Sequence, residues 1–219
     1  MKKLNVLAIS AAVAGVLVSG TAAADVTGNL GATSNYMWRG TTQTGGDASI
    51  SGGIDYSHES GLYAGIWTAN TSFGSPETDY YVGYGGEAGS FTYDVSIIDY
   101  TYTQADDLDW IEINIGGGID ALSFNLGITS DVFGTDTDAL YIEGAYDIAL
   151  NDKTTLTLHI GSYDFDDEAA AGFESYIDYS ATLAAGDWSF SLTDTDLDSA
   201  TFTDGDLVFV VSWGMEVEL

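Results

Sequence analysis

The stretch LVFVVSWGMEVEL (207–219) decides the fold. One face of it is apolar and consists, in steps of two, of Leu207, Phe209, Val211, Trp213, Met215, Val217 and Leu219. The opposite face becomes polar towards the end and carries Ser212, Gly214, Glu216 and Glu218. A period of two residues over this length predicts a β-strand with one apolar side.

The position of this strand suggests a membrane barrel. An apolar last strand with an aromatic residue, Trp213, six positions before the end resembles the strand that outer-membrane barrels present to their assembly machinery. Those strands usually end in Phe, whereas this one ends in Leu219. The alternative is a soluble antiparallel sheet whose last strand closes the chain.

The N-terminal residues predict export. Lys2 and Lys3 precede an apolar stretch over 4–18, and alanines at 22–24 follow. A charged start, a short apolar segment and an A-x-A site are typical of a cleaved signal peptide. We therefore expect residues 1–24 to be removed and 25–219 to form one domain. A retained anchor helix is disfavoured because the stretch is too short to span a bilayer comfortably.

Composition narrows the class of protein further. The chain has 34 acidic and four basic residues, a formal net charge of −30, which makes nucleic acid a poor partner. Strong acidity often accompanies disorder, but 45% hydrophobic residues, 13% aromatics and 27 glycines argue against it. One proline suits long strand ladders, and the absence of cysteine excludes disulfides and thiolate sites.

Alternating segments predict an all-β fold, a single transmembrane antiparallel up-and-down β-barrel of twelve strands, with ten to fourteen as the wider range. The predicted strands are 26–39, 47–58, 61–70, 78–88, 91–103, 108–119, 121–132, 138–150, 154–165, 173–185, 188–198 and 206–219. Short and longer connections alternate between them, the pattern of short periplasmic turns and longer extracellular loops with both termini periplasmic. A soluble lipocalin-like barrel also alternates, so this pattern alone leaves it open.

Alternation also predicts which side chains face inward. Apolar residues face lipid and polar residues face the lumen, because a charge at the bilayer midplane costs about 2–4 kcal/mol. The predicted lumen acids are Asp55, Asp94, Glu112, Glu143 and Asp147. The predicted outward girdle of aromatic side chains is Trp38, Tyr80, Trp188 and Trp213. Glycines inside strands are expected to make room for facing side chains.

Three segments resemble the TorF-type porin family of small proteobacterial outer-membrane proteins. They are GNLGATSNYMWRGTTQT (28–44), GGIDYSHESGLYAGIWTANTSF (52–73) and DYYVGYGGEAGSFTYDVSIIDYTY (79–102). The resemblance covers residues 26–102 well and the remainder loosely. It implies an outer-membrane barrel and a porin-like role, and it supplies no substrate.

Arg39 is the only arginine of the chain. By phase, Asn35, Met37 and Arg39 point inward while Tyr36 and Trp38 point outward. A lone guanidinium in an acidic barrel is expected to form a bidentate pair with a carboxylate. Either it orients a permeant near the outer mouth, or it clamps the first strand or a loop, and the clamp is favoured.

The remaining candidates for chemistry are histidines and acidic loops. His159 has lumen phase and His58 lies at a predicted turn, but neither has a nucleophile motif beside it, so no catalytic residue and no enzyme activity are expected. Asp164, Asp166, Asp194 and Asp196 are weak candidates for a metal site. Carboxylates suit Ca²⁺ or Mg²⁺, yet no twelve-residue calcium loop is present, and a solvated acidic surface is favoured.

The leading functional hypothesis is a narrow outer-membrane channel for cations or small neutral solutes, with no cofactor beyond loosely bound Ca²⁺ or Mg²⁺. Acidic rings concentrate cations, and twelve strands leave a narrow bore. Expected partners are outer-membrane lipids, lipopolysaccharide and the assembly machinery. The alternative is a non-conducting structural or adhesive barrel that binds divalent cations, lipopolysaccharide or a partner through its acidic loops.

Overall fold

The computed structural model describes residues 24–172, 174–197 and 207–219. The predicted signal peptide lies outside the described residues, apart from Ala24. Within the described part of the chain, no helix is long and apolar enough to cross a membrane.

Twelve antiparallel strands form a closed barrel, as predicted from the alternation. The barrel strands are β1 (Asp25–Thr33), β4 (Ser49–Ser57), β5 (Leu62–Ala69), β6 (Glu77–Ala88), β7 (Phe91–Tyr102), β8 (Trp110–Ile119), β9 (Leu122–Thr129), β10 (Ala139–Asn151), β11 (Thr154–Phe165), β12 (Tyr176–Ala185), β13 (Trp188–Thr195) and β14 (Val208–Glu218). Two further strands, β2 (Met37–Trp38) and β3 (Thr41–Thr42), pair only with each other. One short helix, α1 (Glu168–Ala171), follows β11.

The last strand closes the barrel. β14 pairs with β13 on one side and with β1 on the other, in a register that runs from Thr27 opposite Glu218 to Thr33 opposite Ser212. Because every strand thereby has two neighbours, the wall has no unpaired edge, which hydrocarbon would not tolerate. The stretch that decided the fold from sequence is the seam of the closed structure.

Apolar and polar side chains lie on opposite faces of the wall, as the alternation predicted. Isoleucines of β8 at 111, 113, 115 and 119 are exposed on the outside, whereas Glu112 and Asn114 between them are buried inside. An apolar exterior around a closed barrel is the arrangement of transmembrane barrels. Inside the barrel, Gly161 and Gly127 leave room for Tyr141 and Glu112, because a Cβ at either glycine would overlap those side chains.

The two ends of the barrel differ. Tight turns lie at one end of the barrel, together with the start of β1 and the end of β14, and we call this end the turn end. The turns are at 58–61, 89–90, 120–121, 152–153 and 186–187. The described residues of the other connections, 34–48, 70–76, 103–109, 130–138, 166–172, 174–175, 196–197 and 207, lie at what we call the loop end. The alternation of connection lengths is confirmed. That the turn end faces the periplasm stays a prediction.

One strand prediction is wrong. The first strand was expected over 26–39, but β1 ends at Thr33 and the chain then leaves the wall. Consequently Tyr36 and Trp38, expected to point outward, are buried at 6% and 8% exposure inside the barrel. Trp38 is therefore no part of a lipid-facing girdle. Tyr80 and Trp188 do face outward, at 51% and 50% exposure, and Trp213 lies half-buried on the same outer surface beside Trp188.

Candidate functional site

The segment between β1 and β4 folds into the barrel, and we call residues 34–48 the inserted hairpin. Its pairing places Trp38 opposite Thr41, so Arg39 and Gly40 form a two-residue turn. Both have positive φ, 48° and 76°, as a type I′ turn requires. Gly40 has a second reason to lack a side chain, since a Cβ there would lie 2.6 Å from the Cβ of Asp178 on the wall.

The inserted hairpin crosses the bore at the loop end. On one side, the hydroxyl of Tyr36 donates to Oε1 of Glu77 on β6 at 2.5 Å, and the Tyr36 ring meets Trp67 edge-on. On the other side, the hydroxyl of Tyr176 on β12 donates to the carbonyl of Arg39 at 2.9 Å. Contacts with opposite walls mean that the hairpin blocks the bore rather than lining it.

Aromatic rings fill the space around the hairpin. Trp38 packs edge-on against Trp110, Phe133 and Tyr163, with centroids 5.8–6.0 Å apart. Trp110 stacks on Tyr100 at 4.4 Å. Edge-to-face and stacked pairs each contribute about 0.5–1.5 kcal/mol beyond the area that they bury. A cavity of about 10 Å³ remains among these rings, which is room for roughly one water molecule.

Arg39 lies at the tip of the inserted hairpin and pairs with Glu112 of β8. Its Nη2 donates to both carboxylate oxygens, at 2.7 and 2.9 Å, and the two side chains are 8% and 1% exposed. The predicted inward direction of Arg39 is thus observed. The expected fork is not, because both hydrogen bonds come from one nitrogen. The guanidinium carbon of Arg39, Cζ, lies 4.1 Å from the ring centroid of Tyr141 and 4.7 Å from that of Tyr163.

These contacts favour the interpretation of Arg39 as a clamp, although the segment that it holds differs from the one expected. The clamp was expected to fix the first strand or a loop, and it instead fixes a hairpin that closes the bore. A buried ion pair with ring faces on the guanidinium gives this hairpin a defined position.

Polar side chains line the lumen between the inserted hairpin and the turn end. Asp55 accepts hydrogen bonds from Asn29 Nδ2 at 2.8 Å and from the hydroxyl of Tyr81. Asp94 accepts one from the hydroxyl of Tyr63 at 2.9 Å. Both aspartates are half-buried, so part of each residue stays accessible to solvent.

A second polar group lies on β10 to β12. Nε2 of His159 is 2.9 Å from Glu143 Oε2, and its Nδ1 is 3.4 Å from Asp178 Oδ1. Tyr141 donates to Asp178 Oδ2 at 2.9 Å. Closer to the turn end, Asp147 is exposed and accepts from Thr157 Oγ1 at 2.7 Å. His159 therefore lies between two carboxylates, in a position that suits charge compensation.

Three buried lumen acids were not predicted from the sequence. Glu77, Asp79 and Asp178 are all buried on the inner face at 2–5% exposure. The alternation around Tyr80, which was assigned outward, carried the signal for Asp79, because its immediate neighbour must point inward. Asp79 Oδ1 has no hydrogen-bond partner among the described residues. The contact of Glu77 with Tyr36 has no sequence signal, since it depends on where the hairpin folds.

The acidic loops do not form a metal centre in the described part of the chain. Asp164 and Asp166 extend from β11, and Asp194 and Asp196 from β13, with β12 between the two pairs. Two strand spacings separate them by about 10 Å. No group of three or more His, Cys, Asp or Glu side chains that would hold a metal occurs in residues 24–172, 174–197 and 207–219.

Comparisons with known proteins place the chain in a family. Residues 18–214 match the model of a family described as "Bacterial protein of unknown function (Gcw_chp)". The chain belongs to this family. No curated protein sequence matches it. Membership of the Gcw_chp family leaves the TorF-type resemblance unconfirmed, and that assignment stays a hypothesis.

Solved structures share the fold of this Gcw_chp protein. The KdgM porin aligns with a TM-score of 0.55 and 9% identity, over 89% of this chain and 98% of that chain. The NanC porin aligns with a TM-score of 0.54 and 12% identity, over 88% and 98%. The KdgM porin in complex with disordered oligogalacturonate is similar to the chain as well. At these identities the likeness shows the fold, a barrel of the outer-membrane porin type.

Proposed function

We propose that this protein is a narrow outer-membrane channel for cations or small neutral solutes, and that the inserted hairpin holds it closed. The single observation that carries the proposal is the charge of the inner wall. Many carboxylates lie on inward-facing positions of the described strands, among them Asp55, Glu77, Asp79, Asp94, Glu112, Glu143, Asp147 and Asp178. A lumen of this composition attracts cations and repels anions.

Positive charge inside the described barrel is scarce. Arg39 is taken up by Glu112, and His159 lies between two carboxylates. Lys153 is at an exposed turn outside the bore. An anion that entered would therefore meet no free cationic partner in the described barrel, whereas Asp55, Asp94 and Asp147 contact only neutral groups and are available to a cation.

The location of the inserted hairpin supports its role in closing the bore rather than in building the wall. Thr33 and Ser49 pair directly across the ends of β1 and β4, so the strand connection needs no long segment. A two-residue turn would join these strands. The hairpin is thus dispensable for the wall and fills the bore instead, which suits an element that closes a channel.

The filled loop end favours one second candidate, a non-conducting structural or adhesive barrel. In that function the packed rings around Trp38 would stabilise the wall permanently. The acidic loops would then bind divalent cations, lipopolysaccharide or a partner. An outer-membrane location, insertion through the assembly machinery and a periplasmic turn end are common to both candidates.

Recording conductance from two proteins in planar bilayers separates the candidates. One is the wild type and the other has residues 35–47 replaced by Asn-Gly, which retains Ser34 and Ala48 beside the strands. The channel proposal predicts a rare or small conductance in the wild type and a steady one in the variant. A variant that shifts on an unheated gel as a folded barrel, yet conducts no better than bare lipid, would support the structural candidate.

A further inference from the structure

The wall groups that hold Arg39 form a recognition site of their own. Glu112, Tyr141 and Tyr163 belong to β8, β10 and β11, and we call them the guanidinium cage. They supply the elements of guanidinium recognition, a carboxylate in hydrogen-bonding distance and ring faces within 6 Å. In the structure the occupant is a side chain of the same protein.

The cage is held in place by contacts that do not involve Arg39. Asn114 Nδ2 donates to Glu112 Oε1 at 3.0 Å, and Asn125 Nδ2 donates to Asn114 Oδ1 at 2.9 Å. Tyr141 is fixed by its hydrogen bond to Asp178 and by an edge-on contact with Tyr163 at 5.4 Å between centroids. The wall part of the site therefore retains its shape when the inserted hairpin leaves.

The bare backbone at Gly127 provides the space for the occupant. A Cβ there would lie 2.9 Å from both Arg39 Nη2 and the Glu112 carboxylate. The cage thus fits a flat cation directly over the β9 backbone. A compact, strongly hydrated ion such as Mg²⁺ demands six oxygen ligands in a near-ideal octahedron, and two ring faces do not supply them.

We propose that the guanidinium cage binds guanidinium compounds that enter the lumen, and that Arg39 is its built-in competitor. A free guanidinium cation would take the place of Arg39 and thereby release the inserted hairpin. The inference deepens the proposed function, because it names the class of cation that the channel admits. It also rests on that function for the route by which the cation arrives.

The test uses methylguanidinium as the probe and the full chain in detergent as the protein. In Arg39→Ala the cage is free, and methylguanidinium should raise the thermal midpoint of the barrel saturably, whereas equal NaCl should not. The matched control is Arg39→Ala with Glu112→Gln, which should need at least tenfold more probe for the same shift. Equal responses of the two variants, or of the two salts, would overturn the proposal.

A second measurement needs no variant. Argininamide added to the wild type should displace Arg39 and increase the quenching of tryptophan fluorescence by acrylamide, because Trp38 leaves the core with the hairpin. Glycinamide, which lacks the guanidinium, should leave the quenching unchanged. If Arg39→Ala does not fold and argininamide changes nothing in the wild type, the cage proposal is wrong.

The outcomes for the cage and for the channel are distinct. Saturable binding of methylguanidinium by a hairpin-shortened barrel that never conducts would retain the cage and reject the channel. A cation-conducting barrel whose current and thermal midpoint do not respond to guanidinium compounds would support the channel and reject the cage.

Discussion

Replacing Glu112 by Gln should release the inserted hairpin while leaving the barrel intact. The substitution keeps the size of the side chain but removes the charge opposite Arg39, and both partners are almost fully buried at 1% and 8% exposure. Removing one partner of a buried pair costs about 3–5 kcal/mol, because the other charge stays buried without compensation. The ring contacts of Arg39 with Tyr141 and Tyr163 remain, so we expect a loss near the lower end of that range.

Trypsin reports this release directly. Arg39 is the only arginine, and it is cleavable only when the hairpin leaves the bore. About 3 kcal/mol corresponds to roughly a hundredfold larger open population, since each 1.4 kcal/mol is a factor of about ten. When closing is fast relative to cleavage, the rate of proteolysis follows that population. Cleavage after Arg39 should therefore accelerate about a hundredfold in Glu112→Gln.

Two controls make the result decisive. Cleavage at Lys153, in an exposed turn far from the hairpin, should proceed equally in both proteins. Asp147→Asn removes a lumen charge that is solvent-exposed, and it should change cleavage at Arg39 by less than threefold. If Glu112→Gln also changes it by less than threefold, the ion pair does not hold the hairpin and the reasoning fails.

Three further predictions concern the lumen, the seam and a loop. Glu143→Gln should lower cation selectivity in reversal-potential recordings more than Asp167→Asn, because Glu143 lies in the lumen, whereas Asp167 caps α1 in a loop where charges are screened over about 8 Å. The cation selectivity should also fall as pH approaches about 4 and carboxylates gain protons. Equal effects of the two substitutions would contradict selection of cations by charges in the lumen. Deleting Trp213–Leu219 removes most of the pairing of β14 with β1, so no heat-modifiable barrel should form, and a folded truncated barrel would refute the role of the seam. Hydrogen bonds from the backbone and side chain of Ser175 lower the pKa of the Glu168 carboxylate. Their contribution to the stability of the loop is therefore complete above the ordinary carboxylate pKa and is lost as pH falls through the lowered pKa of Glu168. NMR titration should place the Glu168 midpoint below that of exposed glutamates, and Ser175→Pro, which has neither donor, should return the midpoint to the ordinary range.

The wall of the barrel was predictable because its physics is local. Alternation within each segment follows from the two-residue period of a strand, and it located twelve strands, the facing of β8 and the short turns. Lipid outside and polar groups inside impose the same rule on every strand. The inward direction of Glu112 therefore followed from its isoleucine neighbours alone.

The inserted hairpin was not predictable in the same way. The alternation continues past Thr33 through Tyr36 and Trp38, and nothing local marks where the chain leaves the wall. A two-residue turn at Arg39 and Gly40 was the available signal, because glycine at the second position suits a type I′ turn. The partners of the hairpin, Glu77 and Glu112, lie 41 and 73 residues away from Tyr36 and Arg39. Only the closed fold brings them together.

The reversal potential of the hairpin-shortened protein under a KCl gradient tests the central claim most directly. With residues 35–47 replaced by Asn-Gly, the wall is retained and the lumen carboxylates line an open bore. The account predicts a steady conductance whose reversal potential has the sign of potassium selectivity at neutral pH. A folded barrel that selects chloride, or one that conducts nothing, would contradict it.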